Sequence, residues 1–166
     1  MKKTIVAVVL TMVAVMAVAV YPVGVNAGQV DALTVIVDGK KIDFPDAPAH
    51  IDENGRLQIP VRFIGEALGA YAFWDDKLRR VEFEKITEAN DELQIENLIF
   101  FVGDKEYTYV NTTNESKNTQ SMLMDTVPVI IHDRAFIPVR YVAEGLGATV
   151  SWEESSRTVV IDWRES

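Results

Sequence analysis

Arg56-Leu57-Gln58-Ile59-Pro60-Val61-Arg62-Phe63-Ile64-Gly65-Glu66-Ala67-Leu68-Gly69-Ala70 recurs further along the chain as Arg134-Ala135-Phe136-Ile137-Pro138-Val139-Arg140-Tyr141-Val142-Ala143-Glu144-Gly145-Leu146-Gly147-Ala148. The offset, Pro60 to Pro138, is 78 positions and needs no gap. It continues through Trp74 and Trp152, Arg79 and Arg157, and Val81 and Val159. A repeat of this length organises the whole chain as an internally duplicated motif.

Each copy reads physically in the same way. Arg56 to Ile59 alternates in polarity and follows the turn pair Asn54-Gly55, which predicts a short strand. Pro60 lacks a backbone donor and is tolerated where a helix begins. From there Val61, Ile64, Ala67 and Leu68 follow helical spacing, and Gly69 supplies a left-handed stop. The second copy repeats this with Val139, Val142, Leu146 and Gly147. Helices of about ten residues do not persist alone in water, so packing on a sheet must hold them.

A hairpin follows each helix. Ala70 to Trp74 turns at Asp75 to Leu78 into Arg79 to Phe83, and Ala148 to Trp152 turns at Glu153 to Ser156 into Arg157 to Ile161. Two more hairpins precede the motifs: Val35 to Val37 turning at Asp38-Gly39, and Ile99 to Val102 turning at Gly103-Asp104. The polar stretch Asn111 to Ser121 reads as a mobile loop, because it carries no apolar residue through Gln120.

The chain opens with Met1-Lys2-Lys3, an apolar run from Ile5 to Tyr21, and Pro22-Val23-Gly24-Val25-Asn26-Ala27. A basic start, an apolar core and a small residue at the end make a secretory signal over residues 1–27, with cleavage expected after Ala27. An uncleaved anchor is the alternative, although a spanning helix wants about 20 apolar residues and this run falls short. Either way the rest of the chain, residues 28–166, is expected outside the cytoplasm, secreted and associated with the cell surface. Taking Lys2 and Lys3 from 16 basic residues leaves 14 against 25 acidic ones. Such a balance repels nucleic acid and anionic lipid. There is no cysteine, so disulfides and thiolate metal sites are excluded.

The doubled Ile-Pro-Val-Arg-aromatic motif, with its Glu, Leu-Gly-Ala ending and following Trp, resembles the copper amine oxidase N-terminal-like module, or stalk domain, of bacterial secreted and surface proteins. The resemblance covers about residues 30–163. It implies an α+β fold: an antiparallel five-strand meander with short helices on one face. It also implies that the copies, about 31–86 and 95–163, interlock in one domain, with two tandem units as the alternative arrangement. The module is separate from the catalytic domain of those oxidases, which uses a copper site of three histidines and a tyrosine-derived quinone. With only His50 and His132, this chain offers no such site.

The remaining chemistry is weighed residue by residue. Arg62 with Glu66, and Arg140 with Glu144, are i,i+4 pairs that read either as polar sites or as helix-surface ion pairs worth about 0.2–0.5 kcal/mol. Trp74 and Trp152 either cover the edge of the core with the indole nitrogen toward water, or stack on sugar rings. No nucleophile has a positioned base, and no metal or cofactor set is present. The expected function is non-enzymatic: a structural or binding element at the cell wall, with a wall polymer or a surface protein as partner. The alternatives are an accessory subunit docking to a secreted or membrane protein, and a small hydrolase in which Arg62, Glu66, Arg140 and Glu144 converge.

Overall fold

The computed structural model of the protein describes residues 33–89 and 91–163. The signal expected over residues 1–27 lies outside them. The described part is α+β, mostly strand, with two short helices.

The two motifs fold alike. Strand β4 (Leu57–Pro60) runs into α1 (Val61–Ala67), and β11 (Arg134–Pro138) runs into α2 (Val139–Gly145). Neither helix has a side-chain cap, and both are shorter than the spacing predicted. Their ends are nevertheless the ones expected. Gly69 and Gly147 adopt φ of 64° and 94°, and Gly69 N–H returns to Glu66 at 3.2 Å, closing the last turn. What holds such short helices is burial: Val61, Ile64 and Leu68 on one side of the repeat, and Val139, Val142 and Leu146 on the other, lie in the core.

β4 and β11 pair antiparallel at the centre of a four-stranded sheet, whose outer members are β3 (His50–Ile51) and β10 (Val129–Ile131). In this ladder Ile59 faces Ile137, while Phe136 faces Pro60 and Pro138 faces Gln58. An antiparallel ladder has a two-fold axis through each facing pair. The axis through Ile59 and Ile137 therefore exchanges positions 78 residues apart.

The expected meander is present as β5 (Tyr71–Asp75), β6 (Arg80–Ala89), β7 (Glu92–Phe101), β8 (Glu106–Thr112) and β9 (Lys117–Leu123), in that order. One face carries Val81, Phe83, Leu98, Phe100 and Tyr107, all buried against the helices. Burying side chains of this size stabilises by about 1.5–3 kcal/mol each. The opposite face, with Tyr71, Phe73, Glu82 and Glu84, is not part of that core, and Tyr71 and Phe73 are exposed.

Two expectations need correction. Asn111 to Ser121 is not a loop: β8 and β9 run through it, joined by a turn in which Thr113 Oγ1 accepts from Ser116 N–H at 3.2 Å. An edge strand with both faces in water needs a backbone partner on one side only and no apolar residue, so its polarity concealed it. The sheet also does not stand alone. A third sheet has the order β12 (Ala148–Glu153), β13 (Thr158–Trp163), β1 (Thr34–Val37) and β2 (Lys40–Lys41). In it β1 lies parallel to β13, Thr34 opposite Thr158 through Val37 opposite Ile161, whereas the expectation was antiparallel pairing alone.

Candidate functional site

Two grooves open where the helices begin, and they are built from corresponding residues. The larger, about 550 Å³, is lined by Pro60, Val61, Arg62 and Phe63 at the start of α1 and by Trp74 of β5. Its opposite wall is Asp133, Arg134 and Ala135, from the β10–β11 turn. The smaller, about 290 Å³, is lined by Pro138, Val139, Arg140 and Tyr141 at the start of α2 and by Trp152 of β12. Its opposite wall is Gly55, Arg56 and Leu57, leading into β4. Each groove therefore combines a helix start and a tryptophan from one motif with the turn and strand of the other. The facing of β4 and β11 makes this crossing necessary.

Of the six residues singled out in the sequence, five line these grooves, and Glu144 lines neither. Arg62, Glu66 and Trp74 line the larger; Arg140 and Trp152 line the smaller. The arginine–glutamate pairs do not converge. Arg140 Nε lies 3.5 Å from Glu144 Oε1, with both side chains nearly half exposed, a geometry worth a few tenths of a kcal/mol.

Both tryptophans sit on the core side of their strands, at the rim. Trp74 shares its face with Ala72, which lies beneath Gly65 of α1. Trp152 faces the buried Val159. They remain 40% and 42% exposed, so each has one ring surface on the core edge and another in its groove. Trp152 Nε1 donates to Glu154.

The smaller groove has a fixed polar wall that sequence reasoning missed. Arg56 Nε donates to Asp125 Oδ2 at 2.7 Å, and the Tyr141 hydroxyl donates to Asp125 Oδ1 at 2.8 Å. The Arg56 and Tyr141 hydrogen bonds hold the Asp125 carboxyl down at about 2. Next to it, burial pushes Asp52 upward. The hydrogen bonds from Thr126, Gln58 and the backbone of Arg56 and Asn54 outweigh this and leave it lowered. In the larger groove the corresponding aromatic is Phe63, which has no hydroxyl and packs edge-on against Phe44 at 5.6 Å. There Arg134 pairs with Asp46 at 3.4 Å. Arg56 and Arg134 stood in the quoted repeat; Asp125 and Asp46 lie outside it, where no pattern marked them.

The histidines are separated. His50 is on β3, its ring 5.1 Å from Phe136, and His132 is in the β10–β11 turn with a φ of 48°. No group of three or more metal-capable side chains forms among the described residues. The residues present do not fit a copper site of the oxidase kind. No helix among the described residues is long and apolar enough to cross a membrane.

No curated protein and no solved structure matches the chain. A family model does: the copper amine oxidase N-terminal domain, over residues 36–161. That span takes in both motifs, the meander and both grooves, and the chain belongs to the copper amine oxidase N-terminal domain family.

Proposed function

We propose that this protein is a non-enzymatic extracellular module of the stalk type, exported by its first 27 residues and acting as a structural or binding element at the bacterial cell wall. We read residues 28–166 as one domain of two interlocked copies, a reading supported by the facing of Ile59 and Ile137. The observation that carries the function is the pair of tryptophan-walled grooves. They offer flat apolar surface and polar rims, the ordinary makings of a binding site, and neither lining contains a serine, cysteine or lysine nucleophile beside a base. The hydrolase alternative needed the four arginine and glutamate side chains in one cleft, and they lie in separate places.

Sedimentation with purified peptidoglycan at low salt tests this reading. Retention of the protein with the wall fraction is expected, and its absence would overturn wall binding. The accessory-subunit reading draws support from the uncovered face of the meander, where Tyr71 and Phe73 are 66% and 53% exposed. Crosslinking on intact cells separates the two, since wall binding gives glycan adducts and docking gives a protein partner.

A further inference from the structure

The grooves correspond in position but not in charge. The lining of the larger includes four carboxylates, Asp46, Glu66, Asp76 and Asp133, against two guanidiniums, Arg62 and Arg134. The smaller is lined by Arg56 and Arg140 and by no carboxylate. Asp46 is already committed to Arg134 at 3.4 Å, so three carboxylates face a single arginine around the larger groove. The difference is local. Gly55 of the smaller groove corresponds to Asp133 of the larger, and Tyr141, which fixes Asp125, corresponds to Phe63.

We propose that the larger groove binds a cationic amino-sugar chain, a wall glycan whose amines are free, with the sugar rings on Phe63 and Trp74 and the ammonium groups at Glu66, Asp76 and Asp133. The inference rests on the wall-binding reading and names its ligand. The apolar faces of sugar rings match flat aromatic side chains. An ammonium group gains twice in such a place, from the carboxylates and from the ring faces. A volume of about 550 Å³ is that of a small-molecule site, and the aromatic wall is reachable, since Trp74 is 40% exposed. An N-acetylated sugar keeps the stacking and loses the charge. A lysine-bearing peptide keeps the charge and loses the stacked rings.

Titration calorimetry of the purified protein with a short glucosamine oligomer tests the proposal. The N-acetylated oligomer of equal length and a lysine-containing peptide serve as comparisons. Saturable binding of the free-amine oligomer is expected, about tenfold or more tighter than either comparison and weakened by salt. Trp74→Ala should abolish most of it, and Trp152→Ala should leave it unchanged. Asp76→Asn and Asp133→Asn keep shape while removing charge, and each should weaken binding several-fold without loss of fold by circular dichroism. Three outcomes would overturn the proposal: no binding of the free-amine oligomer, equal binding of a comparison, or equal loss in Trp152→Ala. Peptidoglycan sedimentation on the same preparation keeps the two ideas apart. Retention without oligomer binding removes this ligand and leaves the wall reading; failure of both removes both.

Discussion

Ile59 of β4 lies directly opposite Ile137 of β11, each almost wholly buried, at the pairing that joins the two motifs. Truncating either to alanine leaves a cavity at the seam, and Ile59→Ala and Ile137→Ala should each cost about 2–5 kcal/mol. Because the side chains are neighbours, the double variant should depart from the sum of the singles. Urea denaturation of the four proteins measures both effects.

Gly65 and Gly145 each allow a helix to approach the sheet, against different obstacles. A Cβ at Gly65 would stand 2.7 Å from Ala72 Cβ and 3.2 Å from the Ala70 carbonyl oxygen, neither of which can turn away. One at Gly145 would meet the methyl groups of Leu98 at 2.9 Å, and leucine can change rotamer. Gly65→Ala should therefore destabilise by about 1–3 kcal/mol. Gly145→Ala should cost less, since the gain of up to about 1 kcal/mol in helix propensity offsets part of the crowding. Thermal unfolding followed by circular dichroism ranks the two.

Asp125 gives the protein an acid-dependent contribution. Its folded value of about 2 lies below the ordinary 3.8, so the ionised form is favoured by folding. That contribution is fully present above pH 3.8 and is lost as pH falls toward 2. The side chain is nearly half exposed, and solvent screening keeps the effect to about 1 kcal/mol or less. Asp125→Asn should flatten the stability curve between pH 4 and 2 and change little between pH 5 and 8. Urea midpoints across that range give the answer.

Lys85 links the meander to the far end of α2. Its Nζ donates to the Leu146 carbonyl at 3.2 Å and sits 3.6 Å from the centre of the Trp163 ring. A cation at a helix C-terminus and over an indole is favourable on both counts. These contacts offset part of the cost of burying the charge, so Lys85→Met should change stability by less than about 1 kcal/mol while shifting the near-ultraviolet dichroism of tryptophan. Burial pushes the lysine downward from its ordinary value, so the folded state binds this proton less tightly than the unfolded one. Wild-type stability should thus gain slightly as pH rises toward 10, and the variant should lack that gain.

The repeat made the helices legible because burial imposes its period on the residues: Val61, Ile64 and Leu68, with Val139, Val142 and Leu146, all fall inside as spaced. Asp38-Gly39 was legible because a two-residue hairpin turn demands left-handed backbone, and both residues have it, with φ of 46° and 72°. Strand β9 was not legible, since an exposed edge places no demand on side chains. Nor was the pairing of β1 with β13, because partners so far apart in the chain leave no local pattern. At the grooves, Arg62, Arg140 and the tryptophans stood out by repetition. Among the carboxylates of the larger groove, Glu66 and Asp76 have acidic counterparts in Glu144 and Glu154 that do not line the smaller one, while Asp46 and Asp133 come from unrepeated positions, and only the folded chain shows the difference.

The side-by-side, same-direction run of Thr34–Val37 and Thr158–Ile161 sets how this domain bears a mechanical load. Tension applied through the residues before Thr34 and those after Trp163 pulls the two strands lengthwise past each other. Every hydrogen bond between them is then strained together, where a peeling geometry would break them one at a time. A tether strung between two attachment points would resist extension best with its first and last strands laid in this way.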